Sequence, residues 1–158
     1  MRQTVLQFKY RHLKAAAATL GELIINSFNL QPRPGEALIA VPLHPKRLRQ
    51  RGYNQSALLA AELGKLTGLP VIEGALVRVR NTIPQARTKS AAERRSNVQG
   101  AFACQQQMNG RDILLIDDVC TTGATLDACA AALKSAGAGT VRGLTLATEP
   151  FPSPAAKP

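Results

Sequence analysis

From Leu13 the apolar residues Leu13, Ala17, Leu20 and Ile24 recur at helical spacing and form one face of an amphipathic helix. That helix is expected to end before Gln31-Pro32-Arg33-Pro34-Gly35. The next apolar run, Ala37 to Val41, does not alternate with polar residues and stops at Pro42, the pattern of a strand buried on both faces. A loop, His44 to Tyr53, follows. Asn54 or Ser56 can cap a second helix with Leu59, Leu63 and Leu66 on one face, closed by Gly68 and Pro70. Val71-Ile72 and Leu76 to Val79 read as short strands. Arg80 to Gly100 has few apolar residues and no strong period, and is expected to be a long mobile loop with one helical turn. Ile113-Leu-Leu-Ile116 is a second continuous apolar run, ending in Asp117-Asp118. A helix is expected from about Thr125, with Leu126, Ala130 and Leu133 on one face and Gly137 as its C-cap, and Val141 to Ala147 makes a last strand.

Strand and helix alternate, and two strands lack a polar face. The expected class is therefore α/β, a parallel sheet flanked by helices on both faces, with no internal repeat. The 158 residues fit one domain over residues 1–148, and the prolines from Pro150 onward mark residues 149–158 as a flexible Pro-rich tail. An apolar fraction of 45% with 19% charged residues argues against a disordered, collagen-like or membrane-spanning chain. The net charge of +10 changes the picture more, because it favours an anionic partner. Cys104, Cys120 and Cys129 form no CxxC pair, which supports neither a disulfide framework nor a zinc site and fits reduced thiols in the cytoplasm. The run Ala15 to Phe28 contains Glu22 and is too short and polar to span a bilayer. Arg2, Lys9, Arg11 and Lys14 faintly mimic a targeting segment, without a clean apolar region or a clear cleavage site.

The segment most informative about chemistry runs from Ile113 to Leu126: an apolar strand, an acidic pair, a hydroxyl-rich loop with one glycine, then a helix. Unpaired N–H groups at a helix start, with the hydroxyls of Thr121, Thr122 and Thr125, can hold a phosphate monoester, and Gly123 allows close backbone approach. Carboxylates accept hydrogen bonds from vicinal sugar hydroxyls, so the acidic pair before this cradle suits a ribose 5-phosphate. Cys120 reads as a small side chain that the loop tolerates. No G-x-x-x-x-G-K-[ST] is present, Gly137-Ala-Gly139 follows a helix instead of a strand, and too little chain follows Asp118 for a receiver domain. The plain alternative is a structural strand-turn-helix with a solvated acidic pair.

These residues resemble the phosphoribosyl pyrophosphate (PRPP) motif of type I phosphoribosyltransferases. More narrowly, Val41-Pro-Leu-His-Pro-Lys-Arg-Leu-Arg-Gln-Arg-Gly-Tyr-Asn-Gln55, Thr82-Ile-Pro-Gln85, Glu93 to Phe102 and the Asp117 loop resemble the ComF/GntX family, over most of the chain. The resemblance implies the type I phosphoribosyltransferase fold, with PRPP and Mg²⁺ at the strand ends. By that likeness Asp117 and Asp118 would bind the ribose hydroxyls, directly or through the Mg²⁺ shell, and would be the catalytic pair. Val119, Cys120, Thr121, Thr122, Gly123, Ala124 and Thr125 would cradle the 5-phosphate. Leu43, His44, Lys46, Arg47 and Arg51 would face the pyrophosphate. Such families commonly carry a cysteine-rich zinc-binding N-terminal module, and this chain begins where that module would have ended.

The charges agree with the likeness. His44 to Tyr53 carries Lys46, Arg47, Arg49 and Arg51 with no acid, and Arg78 to Arg95 carries a further run of bases against Glu93 alone. Arg87, Lys89, Arg94 and Arg95, on the expected mobile loop, could close over the pyrophosphate and exclude water. His44 reads as a loop residue ahead of a general base, and His12 has no identifiable partner. The same bases could contact the phosphates of single-stranded DNA, with Tyr53 as a stacking platform, although 4% aromatic residues make such a surface sparse. ComF relatives are linked to DNA uptake, so single-stranded DNA, a competence helicase and a second copy of the chain stand among the implied partners. Three functions remain open: an active phosphoribosyltransferase with an unknown acceptor, a PRPP- or nucleotide-sensing protein without turnover, and a DNA-uptake accessory.

Overall fold

A computed structural model gives the structure of the chain over residues 13–29, 35–82 and 90–148. Its elements in order are α1 (Leu13–Asn29), β1 (Ala37–Ala40), α2 (Pro45–Arg51), α3 (Gln55–Thr67), β2 (Leu76–Arg78), α4 (Ala91–Val98), β3 (Phe102–Cys104), β4 (Ile113–Cys120), α5 (Ala124–Ser135) and β5 (Val141–Thr148). β4 lies between β1 and β5, parallel to both. Successive residues of a strand face opposite sides, and β4 is apolar on both, so two separate cores form. On one side Leu114 and Ile116 pack with Leu38, Leu144, Leu20 and Ile24 of α1, and Leu59 and Leu63 of α3. On the other, Ile113 and Leu115 pack with Ile39, Cys129 and Leu133 of α5, Val98 of α4 and Phe102. The expected parallel sheet with helical cover on both faces is therefore present.

β4 is longer than its apolar run. It pairs with β1 only as far as Ala40 opposite Ile116, whereas its pairing with β5 continues to Cys120 opposite Thr148. Asp117, Asp118, Val119 and Cys120, expected at or beyond the strand end, are thus held in the strand by β5. Because β1 turns away at Pro42, those residues have no partner strand on the β1 side. The connecting turn is only Thr121 to Gly123. Gly123 takes the left-handed conformation, φ 76°, that lets the chain enter α5 directly at Ala124.

Several sequence expectations need correction. The segment His44 to Tyr53 is not a loop: Pro45 starts α2, the His44 ring accepts the Lys46 N–H at 3.2 Å, and Gly52 closes the helix at φ 82°. Arg80 to Gly100 contains the two-turn helix α4, begun by Ser90, whose hydroxyl accepts the Glu93 N–H at 3.1 Å. Arg94 and Arg95 therefore stand on a helix, and Arg87 and Lys89 lie outside the described residues. Leu76 to Arg78 joins no parallel sheet; it pairs antiparallel with β3, a strand that periodicity did not reveal. Val71-Ile72 contributes a single parallel bridge beside β1, between Leu38 and Val71. The C-cap of α5 is Ala136, one residue before Gly137. Residues 1–12 and 149–158, with the proposed tail, are outside the described residues. No helix among the described residues is long and apolar enough to cross a membrane.

Leu66 was expected to share the buried face of α3 but is 53% exposed, while Leu63 is fully buried under β4. Leu63→Ala is expected to lose about 2–5 kcal/mol of stability, and Leu66→Ala to stay within about 0.5 kcal/mol. Denaturant unfolding of the two variants checks this; equal losses would mean that α3 presents another face to the sheet.

Candidate functional site

The carboxyl end of β4 emerges beside the first turn of α3. Asn54 caps that helix, its side-chain oxygen accepting the Ser56 N–H at 3.2 Å while its amide donates to the Val41 carbonyl at 3.0 Å. This ties the start of α3 to the end of β1. Ser56, buried in the same turn, donates its hydroxyl to Asp117 at 2.8 Å, and the Asp118 N–H donates to the same carboxylate oxygen at 2.9 Å. Residues 61 positions apart in the chain thereby fix the orientation of Asp117.

Asp117 keeps part of its surface open, yet most of its surroundings are protein. Burial first, and the neighbouring Asp118 carboxylate second, push its pKa up to about 7, against the pull of the two hydrogen bonds. A carboxylate raised in this way gains from a nearby cation. Beyond it, Thr121, Thr122 and Gly123 make the turn, and the Thr122 hydroxyl accepts the Ala124 N–H at 3.4 Å. Gly123 offers no side-chain cap to α5, so its first turn carries no such bond from the capping position.

The basic residues are linked to this rim through the start of α3, where Gln55 precedes Ser56, and through Arg78. Lys46 is exposed, whereas Arg47 and Arg51 are half-buried and face inward from α2. Arg51 donates to the Gln55 side-chain oxygen at 2.9 Å, and Arg47 donates to the Thr82 carbonyl. Arg78 on β2, 8% exposed, donates to the Thr82 hydroxyl and lies over the Phe102 ring, 5.2 Å from its centroid. Burial and Arg51 lower the pKa of Arg47; burial and Arg47 lower that of Arg78, against the pull of Cys129 and Asp117.

Of the residues the sequence singled out, Asp117 to Thr125 form one continuous rim, and Arg47 and Arg51 are brought towards it through α2 and the start of α3. His44 is occupied as a helix cap, and Arg95 lines a cavity of about 360 Å³ beside the first turn of α5. Sequence reasoning did not single out Asn54, Gln55, Ser56 or Thr82 as site residues, and it counted Arg78 only as part of a basic run. The visible signal was the motif context of Asn54-Gln55 and Thr82. A cavity of about 480 Å³ between Phe102–Gln107 and the end of α5 has only neutral side chains around it and shares no residue with this rim. Charge and hydrogen bonding, not cavity size, locate the candidate site.

A glutamine PRPP amidotransferase structure from B. subtilis superposes on 83% of this chain and 26% of its own, with a TM-score of 0.54 at 20% identity. The structure of an allosteric regulatory enzyme of purine biosynthesis matches likewise, with a TM-score of 0.51 at 19% identity over 83% of this chain and 25% of that one. The fold is that of the type I phosphoribosyltransferases. Among curated proteins, competence protein F of Haemophilus influenzae is 39% identical over 105 residues, 65% of this chain and 45% of that protein. The DNA utilization protein YhgH of Salmonella typhi is 32% identical over 87% of this chain and 63% of its own length. Competence protein ComFC of Bacillus subtilis is 30% identical over 92% and 59%. No family model matches the chain. The chain is thus similar to ComF-type proteins over most of its length, and it spans about half the length of the curated relatives it matches.

The raised pKa of Asp117 has a stability consequence. Above about pH 7 both folded and unfolded chains hold Asp117 ionised, and the folded state carries the burial penalty in full. Below about pH 4 both are protonated and the penalty vanishes. Asp117→Asn, which keeps an oxygen for Ser56, is expected to stabilise the protein by about 2 kcal/mol at pH 8. That gain should shrink towards zero at pH 4, as read by thermal unfolding across the range; a gain independent of pH would contradict the assignment.

Proposed function

We propose that residues 1–148 act as one unit that binds PRPP and transfers its phosphoribosyl group to an acceptor, releasing pyrophosphate. The observation that carries this reading is the Ser56-oriented Asp117-Asp118 pair at the carboxyl end of the central strand, directly ahead of a glycine turn and helix start. In parallel α/β sheets ligands bind beyond the carboxyl ends of the strands, which is where these residues stand. Asp117 and Asp118 bind the ribose hydroxyls. Thr121, Thr122 and the N–H groups from Gly123 to Thr125 hold the 5-phosphate, with Val119 and Cys120 forming the near wall. Leu43, His44, Lys46, Arg47 and Arg51 face the pyrophosphate, joined by Arg87 and Lys89 from the segment outside the described residues.

Loss of pyrophosphate from C1 breaks the C1–O bond with its electron pair leaving on the pyrophosphate, and the acceptor adds to the oxocarbenium-like carbon. The protein contributes position and charge: arginines where negative charge accumulates, carboxylates where the ribose becomes positive. Two adjacent carboxylates, one of them raised by burial and by its neighbour, suit Mg²⁺, which uses one or two carboxylates together with substrate phosphates and water. Among the described residues no group of three or more His, Cys, Asp or Glu offers an all-protein cage. Mg²⁺ on Asp117 and Asp118 would neutralise the charge of the substrate. The free thiols of Cys104, Cys120 and Cys129 support a cytoplasmic setting.

A second reading is favoured by the names of the relatives, which are competence and DNA utilization proteins. In it the arginine surface takes single-stranded DNA during uptake, alongside a competence helicase or a second copy of the chain, and PRPP is not turned over.

Asp117→Asn combined with Asp118→Asn is expected to abolish PRPP binding while circular dichroism stays native; retained affinity would sink the assignment. Arg47→Ala with Arg51→Ala should weaken pyrophosphate binding about tenfold or more and leave ribose 5-phosphate within about threefold. Equal losses for both ligands would remove α2 from the pyrophosphate end.

A further inference from the structure

The guanidiniums of Arg51, Arg47 and Arg78 are electrostatic neighbours in that order, and among the described residues none of them hydrogen-bonds a carboxylate. Among the described residues the hydrogen-bond partners of Arg51, Arg47 and Arg78 are the Gln55 amide oxygen, the Thr82 carbonyl and the Thr82 hydroxyl, all uncharged. Arg78 is the deepest. It is 8% exposed, its Nε is buried without a partner among the described residues, and its guanidinium meets a neutral hydroxyl and the face of Phe102. Gln55, 2% exposed, gives its oxygen to Arg51, and its own Nε2 is buried without a partner among the described residues. A buried charge with no directly bonded counter-ion is costly, and two like charges gripping a single threonine add repulsion, which the Asp117 carboxylate nearby offsets only from a distance. A natural core position could hold methionine or leucine at that depth with no such penalty. The arrangement keeps positive charge with no bonded counter-ion a short way from the surface, with Asp117 at the start of the rim as its electrostatic neighbour.

We propose that Arg78 is a positioning and specificity residue of this site: through Thr82 it fixes Arg47, and its buried charge makes the site prefer a pyrophosphoryl group over a phosphate monoester. This deepens the PRPP reading and rests on it. The monoester end of the ligand sits on the α5 side, at the Thr121–Thr125 turn, whereas the hydrogen bond of Arg78 is to Thr82, which also holds Arg47 of α2. A ligand group carrying two linked phosphates at α2 supplies the counter-charge that Thr82 and Gln55 do not. In a low-dielectric setting such a charge acts without reaching the ligand by direct contact, because screening there is weak.

The test compares wild type with Arg78→Met and Arg78→Lys, using inorganic pyrophosphate with Mg²⁺ and ribose 5-phosphate as separate calorimetric probes. Arg78→Met is expected to bind pyrophosphate at least tenfold more weakly and ribose 5-phosphate within threefold of wild type. Arg78→Lys, which keeps the charge, should recover most of the pyrophosphate affinity. The thermal midpoint of Arg78→Met should equal or exceed that of wild type, since a buried charge with no bonded counter-ion has been replaced by a flexible apolar side chain that matches its aliphatic stem. Unchanged pyrophosphate affinity in Arg78→Met, parallel loss of both ligands, or a lowered midpoint or unfolding of that variant would each overturn the proposal. If wild type itself fails to bind pyrophosphate, the PRPP reading fails first; if it binds and the Met variant matches it, only the role of Arg78 fails.

Discussion

β4 is hydrogen-bonded on both edges as far as Ile116 and covered on both faces, and the other elements are placed by that constraint. Four successive apolar side chains from Ile113 to Ile116 cannot be buried by one layer, because alternate residues point to opposite sides. One layer of α1 and α3 and a second of α5, α4 and the β2–β3 ribbon answer that demand. The strand then becomes acidic where its β1 neighbour departs. The change from Ile116 to Asp117 is therefore a change from a closed interior to a half-open rim, made within one residue. The same physics that builds the core ends it at the position where a ligand can enter.

The rim is held by residues far apart in sequence, which is what gives it rigidity. Ser56 reaches Asp117 across 61 positions, and Arg47 reaches Thr82 across 35. α3 is the common support: its cap Asn54 is tied to β1, Gln55 receives Arg51, and Ser56 orients the acidic pair. Neutral acceptors hold the arginines, and hydrogen-bond donors hold the carboxylate, so no direct ion pair between them takes up the charge that a partner from outside could meet. A sugar bearing phosphates at both ends has the complementary pattern, with hydroxyls in the middle and negative charge at the extremes.

Much of this was legible in the sequence because interior parallel strands advertise themselves. Ala37 to Val41 and Ile113 to Ile116 have no polar face to confuse the reading, and the Asp117–Thr125 segment combined several residue types with one consistent use. What escaped lacked an apolar period. α2 has no buried residue, so only Pro45 and Gly52 marked its ends. Val98 is the buried apolar residue among the described side chains of α4, and the helix start was written in Ser90 and Glu93 instead of in hydrophobicity. β3 is three residues long. Arg78 reads as one more surface base in a basic run, and only the distant Phe102 and the packing of α5 make it interior. Burial of a charged side chain is a property of the assembled fold, and no local pattern encodes it.

The central claim is that the rim at the end of β4 is a PRPP site and not an inherited turn. Calorimetric titration of PRPP into the protein with and without Mg²⁺, beside ribose 5-phosphate and a short single-stranded DNA, addresses it directly. Micromolar PRPP binding that requires Mg²⁺ is the predicted result. Absence of PRPP binding, with salt-sensitive DNA binding intact, would contradict the account and leave the arginine surface as the working part of the protein.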